Sequence, residues 1–196
     1  TNCNNSGNIS CNAVDSSVYL GGVVGMTSNG TISNCYNIGS LKGAGASKAH
    51  STVDHIIVGG VVGEARGNSV VSACYNTGTI ESVAISTDAV MVAFAGGVAG
   101  NVSGYGTKVF DCYSTGDIEA KHTLEVEKDG SALAGGAFGA VMNSSRVFNC
   151  YSVGNVTAYS TYGNAKYGGI SGQARTGNVS SCYFLDVLEN GVGDDN

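Results

Sequence analysis

One pattern recurs down this chain, and it constrains the architecture more than any other feature. A glycine pair opens each unit, at Gly21-Gly22, Gly59-Gly60, Gly96-Gly97, Gly135-Gly136 and Gly168-Gly169, in steps of 38, 37, 39 and 33 residues. A third glycine follows each pair, at Gly25, Gly63, Gly100, Gly139 and Gly172. A Cys-Tyr pair comes next, beginning at Cys35, Cys74, Cys112, Cys150 and Cys182. Cys3 stands 32 residues before Cys35, so residue 1 falls in the back half of a unit. A period of this length marks a stacked array, because a single unit cannot bury its own apolar side and must lie on its neighbour.

Distances inside the unit separate rigid from tolerant chain. Glycine pair to cysteine spans 14 to 16 residues, whereas cysteine to the next pair spans 18 to 24. Constant length belongs to hydrogen-bonded structure and variable length to loops. Long loops are therefore expected over roughly 42–54, 81–89, 120–131 and 157–166, gathered at one corner. Three residues before each cysteine lies Ile32, Val71, Val109, Val147 or Val179, and six after it Leu41, Ile80, Ile118, Val156 or Leu188. Short β-branched runs punctuated by Gly, Asn and Ser read as strands and turns. Helical spacing does not persist across a unit. Parallel pairing between units at ~4.8 Å would bring each column into register and raise five coils about 24 Å.

The expected fold is all-β: a parallel β-helix, or β-solenoid, of about five coils of 32–39 residues. It forms a single domain over 1–196, with a partial first coil over 1–20 and full units from residues 21, 59, 96, 135 and 168. Gly22, Gly60, Gly97, Gly136 and Gly169 are expected to form a ladder where backbones approach closely. Cys35, Cys74, Cys112, Cys150 and Cys182 are expected to form a second ladder. The start in mid-repeat reads as a piece of a larger protein, with its flanking domains as partners.

Composition narrows the function. Thirty-one glycines without Gly-X-Y triplets exclude collagen, and the absence of proline suits a chain that needs its backbone donors for ladders. A net charge of −6 argues against nucleic acid and anionic lipid surfaces as partners. No apolar run is long enough to insert this segment in a membrane.

Residues with chemical potential each have a plainer reading. Zinc sites need close cysteine pairs, which spacings near 38 do not provide. The thiols read instead as a reduced, buried ladder of small apolar filler. An extracellular setting would permit alternate-rung disulfides, and Cys3 with Cys11 is the one local pair. Tyr36, Tyr75, Tyr113, Tyr151 and Tyr183 form a column that could contact a ligand such as a sugar ring; the alternative is rings packed on one another. His50, His55 and His122 fall in the expected loops, near Asp54. Asp111, Asp117, Glu119 and Glu81 read as scatter on a solvated face. Arg66, Arg146 and Arg175 assemble no cleft, and Glu125, Glu127 and Asp129 lack a calcium-loop pattern. No cofactor and no catalytic residue is expected.

The segments GGVVG…NCYNIG, GGVVG…ACYNTGTI, GGVAG…DCYSTGDI and GGAFG…NCYSVGNV resemble the GLUG repeat, with Val or Ala at its Leu position and Ile170 in GGIS. The resemblance covers nearly the entire chain. It implies a right-handed parallel β-helix and an extracellular location. Such repeats occur in large secreted and cell-surface bacterial proteins, including adhesin-like ones and the non-catalytic part of immunoglobulin A proteases. It brings no catalytic residues, and the His-Glu-x-x-His protease motif is absent. The expected function is non-enzymatic: adhesion, display or spacing, with a host surface protein or glycan met by the variable corners. The rivals are a glycan-binding or glycan-degrading β-helix and a passive spacer of a secreted protease.

Overall fold

The computed structural model describes residues 1–48, 53–87, 89–124, 130–185 and 190–193, and every regular element among them is a β-strand. One turn shows the plan. Val53–Gly59, Val62–Arg66, Val70–Ser72, Tyr75–Asn76 and Ile80–Ser86 follow one another around the axis. Each pairs in parallel with its counterpart one turn on: Val90–Gly96, Ala99–Ser103, Lys108–Phe110, Tyr113–Ser114 and Ile118–Leu124. The molecule is a β-solenoid. Four of its five sheets have five strands and one has six, so the stack makes about four full turns, slightly fewer than the coils counted from the repeat.

Columns read from the sequence are columns in space. Ile32, Val71, Val109, Val147 and Val179 align rung on rung. Ile9 heads a second column through Leu41, Ile80, Ile118 and Val156; Leu188 lies outside the described residues. The first residues of the glycine pairs, Gly21 to Gly168, form a third.

The expected long loops are mostly strand. Leu41–Ser47 and Val53–Gly59 occupy most of 41–59, and the same holds for Ile80–Ser86 with Val90–Gly96. Ile118–Leu124 with Ser131–Gly135, and Val156–Ser160 with Asn164–Gly168, repeat it. Length varies in the short connections between them and in the strands, which shorten from seven residues in Leu41–Ser47 to five in Val156–Ser160. The inward positions of the first of these strands are Leu41, Gly43, Gly45 and Ser47, too small to show as apolar alternation although each is buried. Gly43 and Gly45 are required there, because a Cβ would run into Val58 and Ile56 of the opposite wall.

Inside, the solenoid is pinched into two apolar compartments. One holds the cysteines with Val62, Val71 and Phe138; the other holds Leu41, Ile56, Ile80 and Ile118. At the pinch, the second glycine of each of the first four pairs meets a buried polar side chain. Gly22 abuts Asn37, Gly60 abuts Asn76, Gly97 abuts Ser114 and Gly136 abuts Ser152, each close enough that a Cβ would overlap the side chain. Gly169 meets Phe184 in the same way. The glycine ladder is therefore one side of a waist, and a ladder of Asn and Ser is the other.

Candidate functional site

Cys35, Cys74, Cys112 and Cys150 are buried in a row, Cys182 is half-buried at the end, and all seven cysteines of the chain are free. Each thiol of the row donates to the carbonyl two residues earlier, at 3.1 to 3.2 Å. Coupling between neighbouring thiols lowers the pKa of Cys74 and Cys150, chiefly through Cys112, and raises that of Cys112 and Cys182, chiefly through Cys150. Cys3, at the exposed start of the column, has its backbone N 3.3 Å from Cys35 Sγ. Cys11 is exposed and pairs in register with Gly43.

The tyrosines stack on one another. Tyr36, Tyr75, Tyr113 and Tyr151 have successive centroids 4.8 to 4.9 Å apart and planes within 4° of parallel. The faces of Tyr75 and Tyr113 are thus covered on both sides, whereas Tyr36 and Tyr151 each stack on one side, and Tyr151 is 43% exposed. Tyr183 ends the column, 72% exposed. Phe110 and Phe148 make a shorter stack at 5.0 Å.

The buried amide ladder was not foreseen. Asn5 Nδ2 donates to Asn37 Oδ1 and Asn37 Nδ2 to Asn76 Oδ1, each at 2.7 Å. The same amides also donate to the carbonyls of Gly7, Gly39 and Gly78. The signal was the recurring Asn-x-Gly after each Cys-Tyr, becoming Ser-x-Gly in later turns.

The histidines are not brought together. His55 faces outward, whereas His122 lies fully buried inside with Nδ1 3.2 Å from Ser160 Oγ. Burial lowers the pKa of both. Asp54 points inward and is buried; His50, Glu125, Glu127 and Asp129 lie outside the described residues. Glu81 and Glu119 are register neighbours on an outer face, tied by Lys121 at 3.8 and 2.7 Å, with Lys42 2.9 Å from Glu81. Asp111 and Asp117 accept from Asn149 and Asn155 of the next turn. Arg146 starts a strand opposite Lys108, away from the rim position of Arg66. Arg175 ends the strand Ser171–Arg175 and is exposed. Among the described residues, no three His, Cys, Asp or Glu are placed to hold a metal ion.

A furrow of about 400 Å³ runs along the outside of the glycine bend. One wall is apolar: Ile57, Phe94 and Leu133 stand in register and form an apolar cluster outside the two interior compartments. The facing wall is polar. Glu64 and Asn101 are register neighbours, each 8% exposed, and Asn101 Nδ2 donates to Glu64 Oε1 at 3.0 Å. Glu64 Oε2 lies 3.9 Å from Arg66 Nη1 at the rim. A carboxylate only accepts, so the amide of Asn101 must turn Nδ2 toward it and Oδ1 away. Oδ1 is left buried without a donor, because the next rung is Ala140. Sequence reading missed the furrow because the run His55-Ile56-Ile57-Val58 is apolar on both faces, and the outward face passed for core.

No curated protein and no solved structure matches the chain. The family model described as the GLUG motif matches residues 54–81, which run from the strand before one glycine pair through the next Cys-Tyr. That stretch covers most of one turn of the stack and carries the GLUG motif, and neighbouring turns repeat the same columns.

Proposed function

We propose that the chain is a non-enzymatic repeat region of a secreted or cell-surface bacterial protein, serving adhesion, display or spacing. The observation that supports this is the register itself: the same residue types recur on the same face turn after turn, including the Tyr and Cys columns. Repetition of this kind produces a stiff rod with a uniform surface, whereas a catalytic centre breaks the pattern at one rung with residues in distinct roles. A host surface protein or glycan is the partner class, met by the variable connections between Ser47 and Val53 and between Leu124 and Ser131. A glycan panel scored for both retention and cleavage tests the reading. Retention without new reducing ends is the expected outcome for an adhesive segment, and no signal in either channel is expected for a spacer. Product accumulating with time would overturn it. Exchanging the two connections for the shorter one after Ser160 is expected to remove any retention.

A further inference from the structure

The furrow beside the glycine bend has a chemistry of its own, which a plain spacer would not require. Two of its buried polar groups, the Glu64 carboxylate and Asn101 Oδ1, are acceptors. The Glu64 carboxylate has one oxygen held by Asn101, and Asn101 Oδ1 is fixed outward from that bond with no donor. Leaving a buried acceptor unpaired costs about 1–3 kcal/mol, a cost that a ligand donor removes. The opposite wall is aliphatic and aromatic, with Ile57, Phe94 and Leu133 in a row. The positive group nearest the carboxylate, Arg66, is half exposed and sits at the long end of ion-pair distance.

We propose that this furrow binds an aliphatic ammonium group: the cation against Glu64, its N–H donors shared with the orphaned Asn101 oxygen, and its methylene stem along Ile57 and Phe94. The stem length follows from the fold. Successive rungs lie ~4.8 Å apart, so a chain of four or so methylenes spans one rung, from Glu64 to Phe94. A cation whose charge is buried on an acceptor while its stem covers apolar surface is the arrangement lysine side chains adopt at surfaces. The ring of Phe94 adds a cation-attracting face, and the net charge of −6 favours the approach of a cation from solution. Two sources carry this chemistry, a lysine side chain of a partner protein and a free aliphatic diamine. The inference does not depend on whether the chain adheres or spaces.

The test is a titration of the isotopically labelled chain followed by amide NMR, using n-butylammonium, with butyrate as the stem-matched anion. Saturable shifts confined to Ile57, Phe94 and the Asn101 side-chain amide are expected with the amine and not with butyrate. Glu64→Gln is expected to weaken binding at least tenfold, and Tyr183→Ala, far from the furrow, to leave it unchanged. Nα-acetyl-lysine methylamide and cadaverine then form the two arms. Tighter binding of the former identifies a partner's lysine, and of the latter a free diamine. Shifts that never saturate, equal shifts with butyrate, or full binding by folded Glu64→Gln would overturn the proposal. If that variant does not fold, the wild-type map with its anion control decides alone.

Discussion

Asn37 reaches one turn along the stack to Asn76, with Nδ2 2.7 Å from Oδ1, while the same amide closes on its own turn at Gly39 O, also at 2.7 Å. Both residues are fully buried at the waist. Each amide therefore satisfies the turn below the Tyr-Asn strand and the rung beside it, and neighbouring bonds polarise one another. Asn76→Ala would take the acceptor from Asn37, leave Gly78 N without the Asn76 oxygen it donates to, and open a void against Gly60. The expected loss is about 2–4 kcal/mol, read as a lower denaturant midpoint. Asn5→Ala, at the half-exposed end of the ladder, is expected to cost under about 1 kcal/mol. Equal losses for the two would show that the ladder contributes nothing beyond each turn.

The residue before each cysteine of the row adopts a left-handed backbone: Asn34, Ala73, Asp111, Asn149 and Ser181 have φ between 49° and 54°. Asn and Asp tolerate this region, and alanine pays roughly 1–2 kcal/mol for it. Ala73 is exposed, so its side chain offers no packing in return. Ala73→Asn is expected to stabilise the chain by about 0.5–1 kcal/mol, and Asn149→Ala to destabilise it by a similar amount. Thermal melts of the two variants check this, and shifts of the same sign would refute the assignment.

A methyl group distinguishes the waist from the turns. At Gly97 a Cβ would overlap both Gly136 O and the Ser114 side chain, neither of which can retreat without parting two rungs. Gly97→Ala is expected to cost more than about 3 kcal/mol or to abolish folding, since overpacking here strains backbone. At Gly7 the nearest atom to an added Cβ is Asn5 Oδ1 at 3.8 Å, and Gly7→Ala is expected to be nearly neutral. Comparable yields and midpoints for the two would remove the waist from the account.

How much of this was legible depended on whether identity or size carried the signal. The Ile32–Val179 column and the cysteine row could be read because their residue types recur at a fixed interval. The strand 41–47 could not, because Gly43, Gly45 and Ser47 are buried by virtue of being small, and loop-like composition masked a packed wall. The amide ladder was half visible as Asn-x-Gly, but its partner across the waist, the second glycine, lies fifteen or so residues away and on another sheet. The furrow depended on which face of His55–Val58 turns outward, and a run apolar on both sides does not say.

The thiol row makes a prediction about access. Cys35, Cys74, Cys112 and Cys150 are at most 1% exposed, whereas Cys3 and Cys11 lie on the surface. A thiolate must reach the reagent to react, so burial outweighs acidity in setting the rate. Ellman's reagent on the native chain is expected to titrate Cys3 and Cys11 at once and Cys182 more slowly. The four buried thiols should wait for denaturant. Immediate reaction of Cys112 would mean that the compartment opens without unfolding.

His122 supplies the pH dependence. It is fully buried, its Nε2 lacks a partner among the described residues, and its ring lies directly over Gly130, where a Cβ would overlap it. Burial holds the folded-state pKa of His122 below the ordinary 6.5, and burial lowers His55 as well, against the pull of Glu64 and Asp54. The unfolded chain therefore takes up these protons at higher pH than the folded chain does. Stability from this source is complete above the unfolded value of 6.5 and is lost as pH falls through the folded-state values. Denaturant midpoints measured from about pH 7 down to about pH 5 are expected to fall, and to fall less steeply for His122→Leu, which removes the buried imidazole and its orphaned nitrogen. Parallel slopes for the two chains would show that His122 takes up its proton equally well folded and unfolded, which the sealed pocket over Gly130 does not allow.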